Sequence, residues 1–320
     1  MTWLGLLDVQ NQWFPLSLAA LLLAFLSASQ DIVIDAVRIE TVSPEDQGIA
    51  AAAALAGYRF GMLLTGAGAI WLALHFGWPV AYIASAAIPL VGLTSIFGVH
   101  EPSGEHAGKN STGPSGEPVG IFRTFVDPIA DLFNRKGMLV ILFFALTYKV
   151  NDAVLLTLVN PFLLHVGFSL GDVAELANPV GILATIAGGI AGGRLIRRFN
   201  LFHILILAGI FQTAGLWLYS ILAVVPHSPL LLVAIVGFEG LFGGAAWAAL
   251  VTFLSDLCRS PLYTATQYAV LTALMAFGRS LLAAPSGYVV DFLGWGGMFL
   301  VYGMVGLLPL IALMKWRPLG

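Results

Sequence analysis

Charged residues are scarce in this chain. Only 10% of its 320 residues are Asp, Glu, Lys or Arg, and 59% are hydrophobic, whereas a typical soluble domain carries about 25% charged residues. A chain this apolar cannot cover a water-facing surface, so we expect lipid to be its solvent. Its single cysteine, Cys258, excludes an internal disulfide. No basic stripe indicates nucleic-acid binding and no histidine pair has metal-ligand spacing, so we expect no nucleic-acid partner, metal or other cofactor.

Apolar runs of about 20 residues recur along the chain, and a run of that length crosses a bilayer as one α-helix. The joins are mostly short, but residues 100–137 open with a Gly-, Ser- and Pro-rich linker. The second part of this join, Val119 to Lys136, has the apolar spacing of a short interfacial helix. We therefore expect an all-α membrane protein with about nine transmembrane helices. The predicted spans are residues 16–37, 49–74, 79–99, 138–164, 173–196, 201–224, 230–255, 262–290 and 296–314.

The Lys and Arg residues are sorted between the two sides of the membrane. If the spans alternate in direction, eleven of the 14 cations fall on one side, and the positive-inside rule makes that side cytoplasmic. The other three lie inside apolar spans and need a functional explanation; they are Arg59, Lys149 and Arg279. The cytoplasmic set is Arg38, Lys109, Arg123, Arg135, Lys136, Arg194, Arg197, Arg198, Arg259, Lys315 and Arg317.

An internal repeat relates two pairs of spans. Ser43 and Trp78 bracket the second span, and a glycine precedes the Trp. Ser260 and Trp295 bracket the eighth span in the same way, with the same separation of 35 residues and an offset of 217. Two copies in one orientation indicate parallel six-helix repeats, as in major facilitator transporters. The offset puts the partners of three spans before Met1, so we expect roughly 80 residues of a twelve-helix fold to be absent.

The spans and the long join divide the chain into three predicted parts. Residues 1–99 form a partial N-terminal bundle of three spans, 100–137 a cytoplasmic linker with its interfacial helix, and 138–320 a C-terminal bundle of six spans. In transporters built from such bundles, one bundle rocks against the other around a site near the middle of the membrane.

Ionisable side chains within the first two spans are candidates for that site, because a charge at the bilayer centre costs about 2.5–3.5 kcal/mol on insertion scales. Asp31 and Asp35 lie four residues apart and share a helix face that Arg38 continues. Asp31 is a candidate proton or substrate carboxylate, whereas Asp35 and Arg38 form either a gating pair or an ordinary interfacial pair. Arg59 either binds an anionic substrate or neutralises Asp31.

The fourth and seventh spans carry the strongest candidates. Lys149 and Asp152 are three residues apart on one helix face, with Asn151 beside them. Lysine suits a carboxylate ligand, and Asp152 can pair with it or carry a proton. Glu239 has only small or apolar neighbours in "GFEGLFGG", so we expect its carboxyl to be protonated for part of a transport cycle.

The eighth span adds two candidates. Gln267 offers donors and acceptors that suit sugar hydroxyls or amides, and an interhelical hydrogen bond is the alternative. Arg279, twelve residues further on, needs an acidic partner or an anionic substrate.

Six motifs carry a resemblance to a known family: "SASQDIVIDA" (27–36), "GYRFGML" (57–63), "YKVNDA" (148–153), "FEGLFGG" (238–244), "TATQYAVLTAL" (264–274) and "GRS" (278–280). Together they resemble motifs of the AmpG-type muropeptide permeases of the major facilitator superfamily. The resemblance extends over nearly the whole chain, and the "QDI" pattern is shared with the related acetyl-CoA transporter group. A Gly- and Arg-rich segment, "GGIAGGRLIRR", is similar to a loop signature of the superfamily, and its glycines allow close helix packing.

The resemblance implies a monomeric importer of the bacterial inner membrane, in contact with lipid, that moves anhydro-muropeptides from cell-wall turnover into the cytoplasm with protons. The family's polar positions would fall on Asp31, Asp35, Arg59, Lys149, Asp152, Glu239 and Gln267. Two alternatives stay open: a carrier of another anionic solute such as acetyl-CoA, and a truncated remnant that transports nothing. We expect no enzyme, because no nucleophile, base or metal constellation has convincing spacing.

Overall fold

The computed structural model describes residues 12–96, 121–225, 227–258 and 263–315, without the side chains of 67, 95, 96 and 121–125. Within these residues all regular secondary structure is helical, as the sequence predicts. The glycine-rich opening of the linker, the predicted repeat element Ser260-Pro261 and the cations Lys109, Arg259 and Arg317 lie outside the described residues, as does the side chain of Arg123.

We number ten helices in the described part of the chain. They are α1 (Trp13–Thr41), α2 (Pro44–Phe76), α3 (Trp78–Ile96), α4 (Ile121–Asn134), α5 (Met138–His165), α6 (Leu170–Arg198), α7 (Leu201–Leu222), α8 (Pro229–Leu257), α9 (Thr264–Ala283) and α10 (Ser286–Lys315).

Seven of these helices are long and apolar enough to cross a membrane: α1, α2, α5, α6, α7, α8 and α10. The apolar stretch of α3 is shorter, and α9 has 20 residues. All nine predicted spans thus coincide with helices, and α4 coincides with the predicted interfacial helix. The all-α membrane fold is confirmed.

The eighth predicted span contains a break that the sequence did not predict. The eighth span was expected to continue to residue 290, but α9 ends at Ala283 and α10 begins at Ser286. Pro285 lies between them and has no backbone N–H to donate, so the helical hydrogen-bond ladder is interrupted there. Gly294 lies in the predicted join and has non-helical φ and ψ, so two helical segments of α10 meet there at a kink.

Two glycines related by the sequence repeat have the same unusual backbone conformation. Gly77, before α3, has φ 86° and ψ 160°, and Gly294 has φ 71° and ψ 174°. Side chains disfavour positive φ, so glycine is the natural residue at both breaks. The repeat therefore extends from the residue pattern to the local backbone.

The chain divides into two compact units, and α2 contributes to both. The first unit comprises Met1–Thr41 and Ala56–Pro118, and large apolar side chains such as Trp13 and Phe25 are exposed on its α1, as expected for a lipid-facing helix. The second comprises Val42–Leu55 and Val119–Gly320. Its core includes the fully buried Phe144, Phe162, Leu250, Leu271 and Phe299.

Glycines bring α6 and α8 together backbone to backbone. A Cβ added at Gly192 would lie 2.8 Å from the Cα of Ala245, and one at Gly240 would lie 2.9 Å from the carbonyl oxygen of Gly181. A Cβ at Gly188 would collide with the backbone of α8. The close packing expected of this glycine-rich segment is therefore present, and it fixes the position of α8, which carries Glu239.

Candidate functional site

Helix α5 is interrupted in the middle of its span. Regular α-helix covers Met138–Thr147 and Val150–His165, while Lys149 between them has φ −102° and ψ 22°. The hydroxyl of Tyr148 donates to the carbonyl of Leu205 on α7 at 2.8 Å and ties the break to its neighbour. Irregular backbone at membrane depth is found where it lines a cavity or is buried in protein, and broken helices form the binding sites of many transporters.

Lys149 lies at this break, and its residue surface is only 2% exposed. Its ammonium forms an ion pair with Asp152, one turn further along α5. The same Nζ lies 3.5 Å from Oε1 of Gln212 and 3.4 Å from the carbonyl oxygen of Gly243. It also lies 5.9 Å from the ring centroid of Trp247, within reach of a cation–π interaction. The buried charge is thus surrounded by acceptors from three helices.

The carboxylate of Asp152 has a partner for each oxygen. Oδ2 faces the ammonium of Lys149, and Oδ1 accepts a hydrogen bond from Nε2 of Gln212 on α7. Its side chain keeps 27% of its surface exposed, whereas that of Lys149 keeps 3%. The predicted contact between Lys149 and Asp152 is therefore confirmed, and the carboxylate is the more accessible partner.

Glu239 reaches the same place from α8. A Cβ added at Gly243 would lie 3.2 Å from Oε1 of Glu239, 3.5 Å from Nε2 of Gln212 and 3.7 Å from Oδ1 of Asp152. Three polar groups from α5, α7 and α8 thus converge on the space beside one glycine. Glu239 has no polar neighbour close by in the sequence, but the fold supplies them from other helices. We call Lys149, Asp152, Gln212 and Glu239 the Lys149 cluster.

Sequence reasoning missed Gln212 and its neighbour Thr213. Both are about 1% exposed, and Thr213 accepts a hydrogen bond from Nδ2 of Asn151 at 3.0 Å. Oδ1 of Asn151 is buried without a hydrogen-bond partner among the described residues. The available signal was a Gln-Thr pair in the middle of an apolar span, which a search restricted to ionisable residues passes over.

Gln267 does not belong to the Lys149 cluster. It is fully buried, and its Nε2 donates to the carbonyl of Pro128 at 3.1 Å and to Asp131 at 2.8 Å. Its Oε1 accepts from Arg135 at 3.1 Å. Arg135 also donates to the carbonyl of Leu257 at the end of α8. The structure therefore favours the interhelical role of Gln267, which fastens α4 to α9.

The contact between α4 and α9 includes an ion pair. Arg135 pairs with Asp131 at 2.7 Å. Hydrogen bonds from Arg135 and then from Gln267 hold the pKa of the Asp131 carboxyl below its usual range. Because Asp131 is an exposed residue, the pair gains little from charge alone, and its geometry matters more than its strength.

The first unit holds three candidates that we describe within that unit alone. Arg38 donates to Oδ1 of Asp35 from Nε at 3.3 Å and from Nη2 at 3.2 Å, which confirms this predicted pair. Asp31, one turn earlier, is exposed. Arg59 is half-buried, and its Nε lacks a hydrogen-bond partner in the described part of the chain. An ion pair between Arg59 and Asp31 is not formed.

Arg279 is half-buried on α9 of the second unit. Over the described ranges it forms no ion pair, so the acidic partner considered for it is not seen there. A search of the same residues found no group of three or more His, Cys, Asp or Glu that could hold a metal ion.

Comparisons with known proteins agree with this architecture. The family model described as Major Facilitator Superfamily matches residues 1–238. The anhydromuropeptide permease of Escherichia coli K12 is 35% identical over 319 residues, covering 98% of this chain and 62% of the permease. The transporter AmpG 4 of Rickettsia conorii is 33% identical over 296 residues, covering 92% of this chain and 70% of its own length. The chain thus spans less than two thirds of the Escherichia coli relative.

The predicted spans coincide with helices, and a buried cation lies where one of those helices is broken. Together with the relatives, these features lead to one classification. The chain belongs to the AmpG-type group of the major facilitator superfamily and is a multi-pass protein of the bacterial inner membrane.

Proposed function

We propose that this chain is a secondary transporter that imports anhydro-muropeptides into the cytoplasm together with protons. The observation that carries the proposal is the Lys149 cluster, in which an ammonium buried at a helix break shares its space with carboxyl groups of two helices. The name of the Escherichia coli relative supports the cargo. Muropeptides carry lactyl and peptide carboxylates, and these groups need a cation in a low-dielectric site.

Competition for Lys149 would couple the proton to the cargo. While Asp152 is ionised, its carboxylate pairs with the ammonium of Lys149. A proton on Asp152 removes that negative charge and leaves Lys149 available to a carboxylate of the cargo. One proton and one anionic group then enter together, because each makes the binding of the other more favourable.

Glu239 is a second protonatable group within this arrangement. Its Oε1 and Oδ1 of Asp152 lie within 3.7 Å of the same point beside Gly243, so a proton on either carboxyl reduces the repulsion between them. The proton gradient across the inner membrane would then favour loading from outside and release inside. This supports import rather than export.

The other candidates have subsidiary parts in the proposal. Arg59 and Arg279 are half-buried cations that we propose as further contacts for anionic groups of the cargo. Asp31 is proposed as an accessible carboxylate, and Asp35 with Arg38 as a gating pair. We assign Gln267 to the contact with α4 rather than to the cargo, since both ends of its amide are already bonded.

We propose that the protein works as a monomeric carrier and not as an enzyme. The proposed parts remain a bundle of three spans at residues 1–99, a linker at 100–137 and a six-span bundle at 138–320. The site described above lies on helices of the third part.

Uptake into membrane vesicles tests the proposal. Right-side-out vesicles containing this chain, given an inward proton gradient, should accumulate labelled anhydro-muropeptide, and a protonophore should abolish the accumulation. Lys149→Ala and Glu239→Gln should each abolish uptake without reducing membrane insertion. Lys136→Ala is the matched control, because Lys136 is an exposed lysine outside the cluster.

The outcomes separate the alternatives. Competition by unlabelled anhydro-muropeptide but not by acetyl-CoA supports the proposed cargo, and the reverse result replaces it. Vesicles that accumulate neither solute above the empty-vesicle background would favour a protein that transports nothing.

A further inference from the structure

We infer that Gln212 is a positioning residue that sets how readily Asp152 takes up its proton, and thereby sets the pH dependence of transport. The inference rests on the proposed function and adds to it a residue that carries no charge. Gln212 lies in the middle of α7 and is 1% exposed, so water cannot replace the bonds that it makes.

The amide of Gln212 closes a ring of three side chains. Its Nε2 donates to Oδ1 of Asp152, and its Oε1 faces the ammonium of Lys149 at 3.5 Å. Lys149 completes the ring through its ion pair with Oδ2 of Asp152. An amide has one donor end and one acceptor end, and here the acceptor faces the cation while the donor faces the anion. Only this orientation suits both neighbours.

This orientation favours the ionised form of Asp152. A hydrogen bond donated to a carboxylate stabilises the charged state and makes protonation less favourable. Lys149 acts in the same sense, but the cargo would draw its ammonium away. Gln212 carries no charge for the cargo to compete for, so its donor would hold the carboxylate during that exchange and favour release of the proton.

Gln212 also lies near the second carboxyl group of the cluster. Its Nε2 and Oε1 of Glu239 lie within 3.5 Å of the same point beside Gly243. The titratable groups around it are Lys149 and Asp152 from α5 and Glu239 from α8, and the hydroxyl of the neighbouring Tyr148 is held by Leu205. The charged residues of α6 and α10, which also pack against α7, lie within two turns of the helix ends among the described residues.

Two substitutions separate the donor from the space that the side chain fills. Gln212→Leu removes both polar ends while keeping most of the volume. Gln212→Glu keeps the shape and the acceptor but replaces the donor with a further carboxyl group. Both should let Asp152 hold its proton to higher pH. Release of the proton inside then needs a higher pH, so we expect the internal pH at which net uptake is half-maximal to move up by about one unit, a tenfold change in proton affinity.

Equilibrium exchange of cargo distinguishes this role from a merely structural one. If Gln212 only supported the fold, its loss would reduce exchange and net uptake alike. Exchange requires no net proton release, so in both variants exchange should fall much less than net uptake, which should fall about tenfold at neutral pH. Thr252→Val is the control, because Thr252 is a buried hydroxyl that bonds only within its own helix α8. Its pH profile should match that of the unaltered protein.

An infrared titration of the purified protein keeps this inference distinct from the proposed function. The carboxyl stretching band that disappears in Asp152→Asn reports the protonation of Asp152 without any transport. An upward shift of its midpoint in both Gln212 variants, in a protein that accumulates no cargo, would support the role of Gln212 and reject the proposed function. The role of Gln212 would be overturned if the protein transports cargo but both Gln212 variants leave the titration midpoint of Asp152 and the pH profile of uptake unchanged.

Discussion

Replacing Lys149 by alanine removes the only cation from the cluster and leaves a carboxylate in its place. In the unaltered protein the ammonium pairs with Asp152 and lies 3.4 Å from the carbonyl oxygen of Gly243. After the change, Asp152 keeps one donor, Gln212, and its second oxygen has none from the cation. We expect lower stability as well as loss of uptake.

The structure sets the size of the stability loss. Removing one partner of a buried ion pair costs about 3–5 kcal/mol, mostly because the other charge is left uncompensated. Here the carboxylate side chain is 27% exposed and keeps the bond from Gln212, so we expect about 3 kcal/mol at neutral pH. Acidification should reduce the loss, because protonation removes the uncompensated charge of Asp152.

A double-mutant cycle measures this directly. Lys149→Ala, Asp152→Ala and the double variant are unfolded with denaturant in mixed micelles, and their free energies of unfolding are compared. We expect the double variant to be more stable than Lys149→Ala alone, with a coupling energy of about 1–3 kcal/mol between the two sites. Additive losses, with no coupling, would refute the ion pair as the core of the site.

Three further predictions concern the rest of the second unit and its boundary. Arg135→Ala should loosen α4 from α9 and increase proteolysis of the linker, because it removes the bond to Gln267; equal cleavage would contradict this. Gly188→Leu should destabilise the protein by about 1–3 kcal/mol or more through overpacking against α8. Gly57→Ala, where a Cβ meets nothing within 4 Å, should not lower the melting temperature, because alanine also suits a helix interior better than glycine. Since the folded pKa of Asp131 is lowered, its contribution should be present above about pH 4 and lost as the pH falls through the folded pKa, so the melting temperatures of the unaltered protein and Asp131→Asn should converge on acidification.

The helices could be predicted from the sequence because lipid leaves the backbone few choices. A run of about 20 apolar residues in a bilayer must satisfy its own hydrogen bonds and does so as a helix. The break that the sequence did not predict has a local cause, because Pro285 follows the end of α9. The join predicted near residues 291–295 is present as a kink at Gly294, whose φ is positive.

The break in α5 could not be predicted in this way. Breaks are usually signalled by proline or glycine, but the residues at this one are Tyr148 and Lys149. The bond from Tyr148 to Leu205 and the ion pair of Lys149 stabilise the irregular turn, and both contacts depend on packing that the sequence pattern does not reveal.

The candidate site was predictable where charge marked it. Lys149, Asp152 and Glu239 could be found because ionisable residues are costly within a membrane, and the fold brings them together. Gln212 carries no charge, so its part depends on a neighbour 60 residues away in sequence. Gln267 was equally visible as a polar residue, but its partners on α4 and at Arg135 decide its role.

Direct binding of cargo tests the central claim, which is that Lys149 holds the anionic group. Labelled anhydro-muropeptide is titrated onto purified protein at mildly acidic pH, for the unaltered chain and for Lys149→Ala. Loss of a charge-assisted bond in a buried site is expected to weaken binding by about tenfold or more, with Lys136→Ala binding normally. Equal affinity of Lys149→Ala and the unaltered protein would contradict the account.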